Sequence, residues 1–93
     1  MRENNHTEFK SSFSDAVIET LTAFANTKGG RVLIGIDDMG KPIHGFTLGR
    51  ESLQKWVNEV KNKTQPSIMP DAEVVRVKGS KVGELSVKEF PVK

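Results

Sequence analysis

A glycine-containing segment followed by a lysine is the most direct signal of phosphate chemistry in the sequence. Residues 35–41 read Gly-Ile-Asp-Asp-Met-Gly-Lys and fit the pattern G-x-x-x-x-G-K, which cradles nucleotide phosphates in phosphate-binding loops. The next residue, Pro42, has neither a hydroxyl to ligate magnesium nor a backbone N–H. Two aspartates occupy the loop where phosphate oxygens would lie, and no helix signal follows directly to supply an N-terminus. We therefore interpret this match as accidental.

Basic side chains lie near two other glycine-containing turns. Lys28 and Arg31 flank Gly29 and Gly30, where the backbone can approach a phosphate closely. A second basic group surrounds the last turn and comprises Arg76, Lys78 and Lys81. Between residues 55 and 88, seven basic residues stand against four acidic ones. Two interpretations stay open: salt-sensitive contact with nucleic-acid phosphates, or solvated lysines that protect sheet edges from aggregation.

The composition excludes several classes of protein. Ninety-three residues allow one small domain, and 35% hydrophobic with 28% charged residues is typical of a globular chain. No apolar run approaches the ~20 residues of a membrane span, and the N-terminus lacks a signal peptide, so we expect a cytoplasmic protein with no membrane partner. The absence of cysteine excludes disulfides, a thiolate nucleophile and cysteine-ligated zinc. The net charge of +2 does not by itself indicate a nucleic-acid partner.

Apolar periodicity predicts two helices. The first is expected over residues 15–26, behind a capping box formed by Ser12 and Asp15. The second is expected over residues 51–63, with Trp56 as its anchor. The apolar stripe of this second helix consists of Leu53, Trp56, Val57 and Val60.

Four strands are predicted around these helices. Residues 31–37 are typical of a largely buried strand, and residues 43–46 are expected to return beside it. Residues 72–78 and 81–90 form a second hairpin, joined by Gly79 and Ser80. The predicted fold class is α+β, in the order α-β-β-α-β-β, with two helices on one face of a mixed or antiparallel sheet.

Several of these segments together resemble the signature of a known family. Residues 23–30, Ala-Phe-Ala-Asn-Thr-Lys-Gly-Gly, followed by Val-Leu-Ile-Gly-Ile-Asp-Asp at 32–38 and by Gly40, are similar to the signature of the Schlafen AlbA-type domain. The similarity extends to residues 8–10, Glu-Phe-Lys, and covers nearly the whole chain. It implies a DNA-binding module like those at the N-terminus of RecG-related ATP-dependent DNA helicase-like proteins and transcriptional regulators. It also implies that residues 1–93 are a single domain and an N-terminal fragment of a longer protein.

The resemblance also implies an alternative catalytic function. Some relatives are ribonucleases that act on transfer RNA, and their carboxylates correspond here to Glu3, Glu8 and either Asp37 or Asp38, while Lys10 completes a Glu-x-Lys element. Three such carboxylates can hold Mg²⁺ or Mn²⁺ to activate water, and a lysine can neutralise the scissile phosphate. The competing interpretation is that these are ordinary charges of a chain terminus, an edge strand and a turn.

The preferred prediction is a non-catalytic module that binds DNA, or RNA, and needs no cofactor. Its predicted binding residues are Lys10, Lys28, Gly29, Gly30, Arg31, Arg76, Lys78 and Lys81. The alternatives are a metal-dependent nuclease and a dimerisation or protein-interaction domain, because exposed sheet edges can pair with a second copy. The rest of the parent chain is a further expected partner, and any ATP-dependent helicase activity would belong to that parent.

Overall fold

The structure is a computed structural model that describes residues 6–49 and 51–89. These residues form two helices and four strands in the order β-α-β-α-β-β. The elements are β1 (Thr7–Lys10), α1 (Asp15–Ala25), β2 (Gly30–Ile34), α2 (Ser52–Lys63), β3 (Asp71–Val77) and β4 (Ser80–Val87). The predicted fold class, α+β with two helices and a mixed sheet, is confirmed. Neither helix in this described part of the chain is long and apolar enough to cross a membrane.

The four strands make one sheet in the order β1-β2-β4-β3. β1 runs parallel to β2, with Glu8 opposite Val32. β4 is antiparallel to both of its neighbours, β2 and β3. A parallel pair needs a long crossover connection, and α1 supplies it between β1 and β2. The edges of the sheet are therefore the short β1 and the longer β3.

Both helices pack on one face of the sheet. The buried core on this side consists of Val17, Ile18, Leu21, Ala25, Val32, Ile34, Val60, Ile68 and Leu85. Trp56 of α2 lies over Gly83 of β4, where a Cβ would come within 2.5 Å of the indole ring. The same indole stacks on Phe13, with ring centroids 5.5 Å apart. Trp56 therefore anchors α2 to the sheet as predicted.

A second, smaller core lies on the opposite face of the sheet. It is built from Phe9, Leu33, Ile36, Val77 and Val82. Because neighbouring strand residues face opposite sides, Leu33 packs in this core while Val32 and Ile34 pack under the helices. This two-sided burial explains the uninterrupted apolar sequence of β2.

Two elements of the predicted order differ in the structure. β1 is an additional strand before α1, and its sequence Thr-Glu-Phe-Lys gives little signal because Phe9 is the one apolar residue in it. The strand predicted over residues 43–46 does not form. Beside that segment, Pro42 forms an isolated bridge with Ile36, and the Ile43 N–H donates to the Gly35 carbonyl at 2.8 Å. Positive φ angles at Gly40 (81°) and Gly45 (83°) interrupt the extended conformation there.

The start of α1 also differs from the prediction. Its N-cap is Ser14 rather than Ser12, and no side-chain cap hydrogen bond forms. Asp15 instead accepts a hydrogen bond from Lys63 Nζ at 3.1 Å, and Glu59 lies 3.2 Å from the same amine. These contacts, with Asp15 contributing most, raise the pKa of Lys63 above its ordinary value. The end of α2 is thereby tied to the start of α1.

Candidate nucleic-acid interface

The ribbon formed by β3 and β4 ends in a tight, basic turn. Val77 and Ser80 are the last paired residues, and Lys78 and Gly79 lie between them with φ angles of 50° and 83°. Positive φ at both central residues is the turn geometry that matches the twist of two-residue hairpins. The turn is therefore one residue earlier than the predicted Gly79-Ser80. It places the exposed Lys78 at the tip of the ribbon.

Two further cations face each other directly behind this turn. Arg76 is the ladder partner of Lys81, and both side chains are exposed. None of the ion pairs in the described part of the chain involves Arg76, Lys78 or Lys81. Like charges directly opposite each other destabilise a sheet. We call these three residues the basic hairpin; their charges oppose folding and are free to bind an anion.

A cleft of about 610 Å³ opens beside the basic hairpin. One wall is formed by residues 42–48 and the other by Lys78, Ser80 and Lys81. At its base, Phe46 packs over Gly35 so closely that a Cβ on Gly35 would lie 2.6 Å from the ring. Gly35 also has a φ of 105°, a conformation that other residues rarely adopt. We call this space the hairpin cleft. The loop wall includes residues 43–46, which the sequence predicts as a strand, and none of the predicted site residues lies in this loop.

The glycine turn lies at the opposite end of the sheet. Gly29 has a φ of 81°, and its N–H donates to the Phe24 carbonyl at 2.7 Å. A Cβ on Gly29 would lie 2.8 Å from the Val87 carbonyl oxygen, so packing against the end of β4 requires glycine here. Gly30 is already the first residue of β2. Phosphate contact at this turn would therefore depend on side chains such as the exposed Lys28.

Arg31, beside this turn, already has two partners. Its Nε donates to Thr7 Oγ1 and its Nη1 to Glu84 Oε2, each at 3.2 Å. The side chain lines a second cleft, of about 640 Å³, together with His6 and Lys88. Nothing in the sequence marks His6 or Lys88 as neighbours of Arg31, because only the pairing of the strands brings them together. The positive charge of Arg31 is thus partly neutralised by Glu84.

The predicted basic residues do not form one patch. Seven residue steps along β4 separate the glycine-turn end from the hairpin end, which corresponds to about 23 Å. Glu73 lies directly opposite Glu84 on the face of the smaller core, whereas Arg76 and Lys81 lie on the helix face of the sheet. Lys10 lies on the edge strand β1, opposite Ile34. The distance between the two ends and the change of face make them separate candidate contacts.

The proposed nuclease carboxylates are only partly described. Glu3 lies outside the described residues, Glu8 is half-buried in β1, and Asp38 is exposed. Within residues 6–49 and 51–89, no group of three His, Cys, Asp or Glu side chains could hold a metal ion. A metal site for Mg²⁺ or Mn²⁺ that includes Glu3 stays a prediction.

The segment that fits G-x-x-x-x-G-K is a self-contained turn. Asp37 Oδ1 accepts hydrogen bonds from the N–H groups of Met39 and Lys41, both at 2.9 Å. Backbone amides of this kind are what a phosphate-binding loop presents to its ligand. The next helix, α2, begins only at Ser52. These contacts give a physical reason for the interpretation that the motif is accidental.

Comparison with known proteins identifies what this chain resembles. The family described as Schlafen, AlbA_2 matches residues 3–93. A curated relative from Ureaplasma parvum serovar 3 (strain ATCC 700970), named uncharacterized ATP-binding protein UU034, is 35% identical to it. That match covers 72% of this chain and 21% of the relative. This chain therefore corresponds to about a fifth of that protein.

Two solved structures share the fold. The DIP2311 protein from Corynebacterium diphtheriae superposes with a TM-score of 0.69 at 19% identity, covering 92% of this chain and 21% of that one. The second is the N-terminal domain of a RecG-related protein from Nitrosomonas europaea, named after an ATP-dependent DNA helicase. It superposes with a TM-score of 0.55 at 23% identity, covering 90% of this chain and 61% of that one.

Proposed function

Because the chain belongs to the Schlafen AlbA_2 family, we propose that it is a nucleic-acid-binding module of a larger protein and that it contacts phosphates through the basic hairpin. The observation that carries this proposal is the ladder pair of Arg76 and Lys81, two exposed cations beside Lys78. A phosphate placed between them would replace repulsion with two attractions. The gain would be larger than for cations that must first leave an existing ion pair.

The cations at the two ends of the sheet differ in whether they already have hydrogen-bond or ion-pair partners. At the glycine turn, Arg31 is engaged by Thr7 and Glu84. At the hairpin, the cations have no carboxylate partner among the described residues. The hairpin is therefore the primary contact in this proposal. Lys28 and Arg31 form a weaker second contact about 23 Å away.

The parent protein in this proposal is RecG-related and helicase-like, or a transcription regulator, and DNA is the preferred ligand. The name of the Nitrosomonas europaea neighbour refers to a DNA helicase, and that of the Ureaplasma parvum relative refers to ATP binding. This chain spans about a fifth of the Ureaplasma protein. We assign ATP-dependent activity to the remainder of the parent and nucleic-acid binding to this module.

A pair of matched double variants tests the contact. Lys78→Asn with Lys81→Gln removes two charges from the hairpin, and asparagine tolerates the positive φ of residue 78. The control, Lys55→Gln with Lys61→Gln, removes two exposed charges from α2. We expect the hairpin variant to bind DNA roughly tenfold more weakly at low salt and the control to bind like the unmodified protein. Equal losses in both variants would show that only total charge matters.

The same titration separates binding from cleavage. Duplex DNA, single-stranded DNA and transfer RNA are each incubated with the protein and Mg²⁺ or Mn²⁺, and product lengths are measured. Intact ligands that are bound support the binding module. Cleavage that Glu8→Ala abolishes would support the metal-dependent nuclease instead.

A further inference from the structure

The loop wall of the hairpin cleft carries unused hydrogen-bond donors. His44, Gly45 and Thr47 are exposed, and within the described residues their backbone N–H groups have no acceptor. Gly45 has a φ of 83°, and no atom lies within 4 Å of the position of its missing Cβ. The loop therefore presents amide donors and an imidazole ring to an open space.

Apolar side chains form part of the floor of the same cleft. Ile43, Phe46 and Leu48 line it and are half-buried. The opposite rim carries the ammonium groups of Lys78 and Lys81. The cleft thus combines an apolar floor, amide donors and two cations. Its volume of about 610 Å³ falls within the range of roughly 300–1,000 Å³ that is usual for small-molecule sites.

We propose that the hairpin cleft receives one unpaired base of a single-stranded nucleic acid, while Lys78 and Lys81 hold the adjoining phosphates. The apolar floor covers the face of the base, and the backbone N–H groups of His44, Gly45 and Thr47 donate to its carbonyl and ring-nitrogen acceptors. His44 stacks at the rim, as aromatic rings do in single-strand-binding proteins. This inference rests on the proposed function and adds the class of ligand.

A duplex does not suit this cleft. Its bases are stacked and paired, and extruding one of them costs free energy that a single strand does not have to supply. A duplex also carries more charge per unit length than a single strand, so a protein that recognised phosphates alone would prefer the duplex. A preference for the single strand would therefore come from the base and not from charge.

An abasic oligonucleotide separates the two contributions. The full chain is titrated by fluorescence anisotropy with a single-stranded 12-mer, its duplex, and the same strand in which sugars without bases replace the central nucleotides. We expect the single strand to bind about tenfold more tightly than the abasic strand, whose phosphates are unchanged. Equal affinity for these two strands, or tighter binding of the duplex, would overturn the inference.

Variants locate the effect in the cleft. His44→Ala should weaken binding of the normal strand severalfold and leave the abasic strand unaffected. Met39→Ala removes another exposed side chain, 80% accessible and outside the cleft lining, and should change neither. If the His44→Ala protein keeps full affinity for the normal strand, the proposed binding position of the base is contradicted.

The outcomes distinguish this inference from the function on which it rests. If all three ligands bind equally and the hairpin variant weakens each of them, the phosphate contact stands and the base site is wrong. If none of them binds, both proposals fail. Free adenosine monophosphate that binds as tightly as the strand would overturn the inference in favour of a mononucleotide site.

Discussion

Replacing Arg76 with glutamate should stabilise the fold and weaken nucleic-acid binding at the same time. Arg76 and Lys81 are direct ladder partners without a carboxylate partner in the described part of the chain. Arg76→Glu converts this repulsive pair into an attractive one. Opposite effects on stability and binding are expected only if the repulsion is retained for function.

The size of the stability change follows from the geometry of the hairpin. The pair that closes a two-residue turn is hydrogen-bonded, so the next pair, Arg76 with Lys81, is the non-hydrogen-bonded kind, with Cα atoms about 4.5 Å apart. With charges about 7 Å apart, two unit charges in water interact by about 0.6 kcal/mol. Reversing one sign changes the free energy of unfolding by about 1.2 kcal/mol at low salt. At 0.15 M ionic strength, screening reduces this change to about 0.5 kcal/mol.

Thermal unfolding followed by circular dichroism measures this change. For a domain of this size, about 0.5 kcal/mol corresponds to a rise in melting temperature of roughly 2–4 °C at 0.15 M salt, and the rise should be larger at low salt. Arg76→Gln, which removes the repulsion without adding an attraction, should give about half the effect. A melting temperature that falls or stays constant at low salt would refute the repulsive pair. A rise without loss of nucleic-acid affinity would refute its role in binding.

Two further predictions concern the fold itself. Gly83→Ala places a Cβ within 2.5 Å of the Trp56 ring and should lower the free energy of unfolding, measured by urea denaturation, by about 1–3 kcal/mol. Gly49→Ala, whose Cβ would meet no atom closer than 3.4 Å, is its control, and equal effects would contradict the packing of Trp56 on β4. The hydrogen bond to Asp15 is the main cause of the raised pKa of Lys63. The contribution of this contact to the stability of the fold is therefore complete at pH values below the ordinary pKa of lysine, and it is lost as pH rises through the raised pKa. The difference in melting temperature between the unmodified protein and Lys63→Met should therefore vanish at high pH, and a difference that persists there would contradict the ion pair.

The helices were predictable because their signals are local. The apolar stripe and its boundaries predict α1 over residues 15–26, against Asp15–Ala25 in the structure. β1 was not predictable in the same way, because its assignment depends on pairing with β2, more than twenty residues later. The predicted strand over residues 43–46 is wrong because Gly40 and Gly45 adopt positive φ angles. Sequence patterns do not reveal which glycines will do so.

The candidate site was predictable in residue type and not in arrangement. The sequence identifies Lys78 and Lys81 as exposed hairpin cations. The predicted turn at Gly79-Ser80 would have paired Lys78 with Lys81, whereas the structure pairs Arg76 with Lys81. A shift of one residue changes every ladder partner. The contact between Arg31 and Glu84, which are 53 residues apart, likewise depends on sheet order.

The salt dependence of single-strand binding tests the role of the basic hairpin most directly. Each phosphate contact contributes about 0.7 to the slope of log affinity against log salt for a single strand. The triple variant Arg76→Gln, Lys78→Asn, Lys81→Gln should therefore show a slope shallower by about 2 than that of the unmodified protein, together with weaker binding at low salt. The same slope and affinity in both proteins would contradict the assignment of the phosphate contact to this hairpin.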